Sequence, residues 1–102
     1  MTHDQNTYKF RKNRSRVRET LHREWDPIGV HGIRLARHEY DTYADKAFAM
    51  LMEDRATSSA IASYLYKMAT ENMGLTHKKD LAERAEHVAK ILVGLRASFE
   101  HD

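Results

Sequence analysis

THKKDLAERAEHVAKILVGLRASF, residues 76–99, decides the fold. Its apolar residues Leu81, Ala85, Val88, Leu92, Leu95 and Phe99 alternate spacings of four and three, the signature of a helix that buries one face. Thr76 is a suitable N-cap, so the spacing predicts a helix over about 77–99. Working backwards, Gly74 stops an earlier helix of about 58–73, which starts at a Thr57 or Ser58 cap and carries the stripe Ile61, Tyr64, Leu65 and Met68. Before it, Tyr40, Ala44, Ala47, Phe48 and Leu51 mark a helix of about 39–53, with Glu39, Asp41 and Asp45 in its first turns, where the helix dipole favours negative charge. Phe10, Val17, Leu21 and Trp25 mark the first helix, about 7–24, which Asp26-Pro27 stops because proline lacks an amide donor and restricts its predecessor.

Four amphipathic helices joined by mostly short connections predict an all-α fold, a compact four-helix bundle or array. The segment from Pro27 to about His38 reads as a loop in which a short extended stretch fits but a sheet does not. No repeat, low-complexity tract or Gly/Ser-rich linker interrupts the chain. Residues 1–6 are expected to be disordered, and residues 7–102 to form one helical domain.

Composition narrows the chemistry. The 102 residues contain no cysteine, which excludes disulfides, thiolate zinc sites, Fe–S clusters and cysteine nucleophiles. A chain of this length supports one core but not a deep, enclosed cofactor chamber as well, and no cofactor is expected. No apolar run approaches a membrane span, and residues 1–9 lack the apolar stretch of a secretory signal, so no membrane partner and a cytoplasmic location are expected.

The formal charge of +2 conceals an asymmetry. Residues 1–38 hold nine Lys/Arg against four Asp/Glu, a balance of +5, and residues 39–102 hold eight against eleven, a balance of −3. The two halves are therefore expected to attract each other. Arg11, Arg14 and Arg18 are spaced for one helix face with Arg16 on its flank, an arrangement that could instead neutralise nucleic-acid phosphates. Asp41 and Asp45 share a helix face, and their repulsion calls for cations, which the first helix can supply. A metal site or small hydrolase would draw on His38, Glu39, Asp41 and Asp45, with His22, His31 and Asp26 near in sequence, but the histidines lack metal-ligand spacing and no metal site is expected. No nucleophile elbow or phosphate-binding glycine loop occurs, which makes an enzyme the weaker expectation.

The most distinctive local sequence is Glu24-Trp25-Asp26-Pro27-Ile28-Gly29-Val30, followed by Glu39-Tyr40-Asp41-Thr42-Tyr43. Trp25 can pack the end of the first helix, Asp26 can accept from loop amides, and Gly29 can supply a positive φ, giving a rigid connector. A rigid loop of aromatic and acidic groups also suits protein binding, since little entropy is lost on docking. The candidate contact residues are Trp25, Asp26, Pro27, Gly29, Glu39, Tyr40, Asp41 and Tyr43, and the partner would be another protein or a second copy of the chain.

These two motifs, with Ile61, Tyr64-Leu65 and Met73-Gly74, resemble a group of small bacterial proteins of unknown function over about residues 20–75. The resemblance implies a bacterial, cytosolic, helical protein and brings no established activity. Small bacterial proteins of this kind sometimes act as immunity or inhibitor partners of toxins, which makes immunity one version of the protein-binding expectation.

Overall fold

The computed structural model describes residues 2–30, 32–36 and 38–101, but not the side chains of residues 2–6, 35 and 101. It is an all-α bundle of four main helices, with no strand among the described residues. Helix α1 is Thr2–Thr20 and continues through a wider π-helical turn, Leu21–Trp25. Helices α2 (Asp41–Met52), α3 (Ser58–Lys67) and α4 (Lys78–His101) follow, and α3 also ends in a π-helical turn, Met68–Asn72. A 3-10 turn, Arg34–Ala36, lies in the α1–α2 loop.

The four apolar stripes meet in one core. Val17, Leu21 and Trp25 from the first helix, Ala44, Ala47 and Leu51 from the second, Ile61 and Leu65 from the third, and Leu81, Ala85, Val88, Leu92 and Phe99 from the fourth are all buried. The small residues on α2 let neighbouring helices approach closely, and burial of the large ones supplies the main stabilisation, about 1.5–3 kcal/mol for each fully buried aliphatic or aromatic side chain.

Some boundaries differ from the sequence reading. The first helix begins at Thr2 rather than near Thr7, since no glycine or proline intervenes to stop it. Of residues 1–6, expected to be disordered, residue 1 and the side chains of residues 2–6 lie outside those described. α2 begins at Asp41, two residues later than expected, because residues 38–40 are taken up in a turn in which the Asp41 amide donates to the His38 carbonyl (3.2 Å). Thr57 caps α3 by accepting from the Ala60 amide (3.2 Å). Gly74, at φ +69°, turns the chain after Asn72 so that the Leu75 amide reaches back to the Ala69 carbonyl (3.1 Å).

Helices α1 and α2 are antiparallel, with Phe10 against Phe48, Arg14 facing Asp45 and Arg18 facing Asp41. α4 is antiparallel to α1 and ties down two helix ends through arginines. Arg84 donates to the Trp25 carbonyl (3.3 Å), while Arg96 donates to the carbonyls of Leu51 (3.0 Å) and Ala56 (2.9 Å). The α1–α2 loop thus lies at one end of the bundle, and the start of α1 and the end of α2 lie at the other.

Candidate functional site

The loop end is built around Asp26. As the first residue beyond the π turn it adopts a left-handed conformation, φ 33° and ψ 57°, immediately before a proline. A non-glycine residue held there costs on the order of 1–3 kcal/mol. The extended conformation usual before proline is overridden because the Asp26 amide still donates to the Leu21 carbonyl (2.9 Å) and its carboxylate accepts from the Val30 amide and the Tyr40 hydroxyl. Oδ1 of Asp26 accepts from the Val30 amide (2.7 Å) and from the Tyr40 hydroxyl (2.7 Å). The Tyr40 oxygen in turn accepts from the Ile28 amide (3.3 Å). One carboxylate and one phenol therefore tie the far end of the loop to its first turn, residues 26–30, and Gly29 (φ +69°) completes that turn.

Aromatic packing lies beneath these bonds. The Trp25 and Tyr40 rings are 5.3 Å apart, Tyr43 meets Trp25 edge-on at 5.7 Å, and His22 lies 5.7 Å from Tyr40. Burial, then donation to Asp26, pushes the Tyr40 hydroxyl well above its ordinary pKa, so it is held as a neutral donor. Tyr64 is pushed up to about 12, by burial first and then by neighbouring Tyr43.

The candidate contact residues divide between support and surface. Trp25 and Tyr40 are buried, while Asp26, Pro27, Asp41 and Tyr43 are half-buried. Gly29 and Glu39 are exposed. The largest apolar side chains offered to solvent here are Ile28, 40 % exposed, and Ile33, 52 % exposed, neither of them among the sequence candidates. Their signal was present in the sequence, since each is an apolar residue one position from a glycine, in a segment too short to bury it on a helix face.

The arginines of α1 are mostly engaged within the molecule. Arg14 Nε lies 3.6 Å from Asp45, and Arg18 pairs with Asp41 (3.8 Å) and Asp45 (3.7 Å). Arg16 donates to Ser98 (3.3 Å) and lies over the Phe99 ring at 5.4 Å. Arg11 is exposed. The repulsion between Asp41 and Asp45 is thus relieved by α1, as their spacing required.

His38 Nδ1 contacts Asp41 (2.9 Å), but Asp41 and Asp45 are turned towards arginines. No group of three or more His, Cys, Asp or Glu converges among the described residues. His31 lies outside them. Nor, among the described residues, is any helix long and apolar enough to cross a membrane. Compared with protein-family models, curated proteins and solved structures, the chain matches none.

Proposed function

We propose that this chain is a non-catalytic protein-binding domain whose docking surface is the α1–α2 loop. The observation that carries the reading is the pair Ile28 and Ile33, exposed on a loop whose first turn is held by Asp26 and Tyr40 and in which the Ile33 amide donates to the Val30 carbonyl (2.9 Å). Apolar side chains displayed on a fixed backbone bind with little loss of conformational entropy. Trp25, Asp26 and Tyr40 act as the support that fixes the display, and Gly29 and Glu39 lie at its surface. Immunity against a toxin is one form of this function, prompted by the resemblance to small bacterial proteins.

The test uses the double variant Ile28→Asp/Ile33→Asp. A partner cross-linked to the native chain in its source cells should be lost from this variant, with helical content unchanged by circular dichroism. Retention of that partner by the folded variant rejects the loop as the docking surface.

A nucleic-acid reading rests on Arg11 and Lys12, both exposed on α1. It requires affinity that falls steeply with salt and is lost when Arg11, Arg16 and Lys12 become glutamine. Salt-independent or absent binding eliminates it.

A further inference from the structure

We infer that the groove at the end of the bundle opposite the loop, between α1 and the end of α2, receives a second copy of this chain across a two-fold axis. The groove has a volume of about 330 Å³. Its walls include Phe10, Phe48 and Met52. Phe10 stands edge-on to Phe48 with ring centroids 5.2 Å apart, yet it remains 49 % exposed. One side of this ring is packed and the other faces solvent.

Two further observations select the occupant. Asn13 lines the groove at only 8 % exposure, makes no side-chain hydrogen bond among the described residues, and keeps its amide atoms open to solvent there. A primary amide both donates and accepts, so a symmetry-related Asn13 is a matching partner. The groove also carries Lys9 on its α1 side and Glu53 on its α2 side, with no ion pair to either among the described residues. Exposed Arg11 and Lys12 extend the positive side, and exposed Asp54 the negative side. A partner of a single charge sign would oppose one of these sides with like charge. A two-fold copy instead sets Lys9 of each chain against Glu53 of the other, giving two equivalent pairs, because an isologous interface repeats every contact.

The experiment is sedimentation velocity on the full chain at low salt, from micromolar to near-millimolar concentration. A concentration-dependent monomer–dimer equilibrium is expected. Glu53→Lys should weaken it about tenfold by placing like charges against each other twice, and Lys9→Glu/Glu53→Lys should restore it. Phe10→Glu should leave a helical monomer. In a mixture of isotope-labelled and unlabelled chains, intermolecular NOEs should connect Phe10 with Met52. A monomer at every concentration, a dimer indifferent to Glu53→Lys, or intermolecular contacts confined to other surfaces would overturn the inference. None of these outcomes depends on the α1–α2 loop, so the two proposals fail separately.

Discussion

The two ends of the bundle treat buried polarity in opposite ways. At the loop end, Asp26 and Tyr40 bond to each other and to the backbone, and the left-handed strain at Asp26 is offset by those bonds. At the groove end, Asn13 is buried as a residue, but its amide makes no hydrogen bond among the described residues and still reaches solvent at the groove. A buried polar group repays its desolvation only when its hydrogen bonds are made, and an unmet one costs about 1–3 kcal/mol. The first arrangement suits a surface fixed before binding, and the second suits one that is completed by binding.

The sharpest way to break this contrast is to remove the support under the loop. Trp25→Ala should destabilise the fold by about 3–5 kcal/mol, through lost burial and the cavity left behind, and urea denaturation will read it. A loss below about 1 kcal/mol would mean that the tryptophan is not integral to the core.

A smaller effect is expected from Tyr40→Phe, which keeps the ring and removes the hydroxyl, at a cost of about 1–3 kcal/mol near neutral pH. The sign of its pH dependence follows from the raised pKa. The folded chain holds the Tyr40 proton more tightly than the unfolded chain, in which the ordinary value is 10.0. This contribution is therefore complete below pH 10 and is lost as pH rises towards the folded value. Tyr64 adds a loss of the same sign between 10.0 and about 12. Tyr40→Phe should thus be the less stable protein at neutral pH but lose less stability in alkali. Parallel pH–stability curves would contradict this.

The smallest effect is expected at the other end and has the opposite sign. Asn13→Leu replaces an amide that makes no hydrogen bond among the described residues by an apolar side chain of similar size and should stabilise the monomer by less than about 1 kcal/mol, read as a slightly higher Tm in dilute solution. Destabilisation would indicate that the amide already has the bonds it needs.

Much of the fold was legible because it rests on periodicity. The stripe from Leu81 to Phe99 admits one reading, and Thr57 and Gly74 mark helix ends through local chemistry. The roles of Asp26 and Gly29 were legible for the same reason, since the Val30 amide and the turn lie within a few residues. Tyr40 bonding back to Asp26 was not, because that contact depends on the path of the whole intervening loop. Nor was the half-exposure of Phe10, which follows the heptad of its helix but stands where α2 covers only one side of its ring. The sequence pattern reports which face of a helix is apolar, whereas the length of that face that is covered depends on where its neighbours stop.

The reach of Arg84 and Arg96 gives the last helix a role beyond filling the core. Carbonyls at a helix C-terminus have no partner within the helix and stay hydrated until something caps them. For α1 and α2, caps come from α4, far along the chain, so neither end is sealed by its own neighbours alone. During synthesis the first two helices would emerge with frayed ends, and the arrival of α4 would close both in one step. The fourth helix thus works as a latch on the ends of both earlier helices.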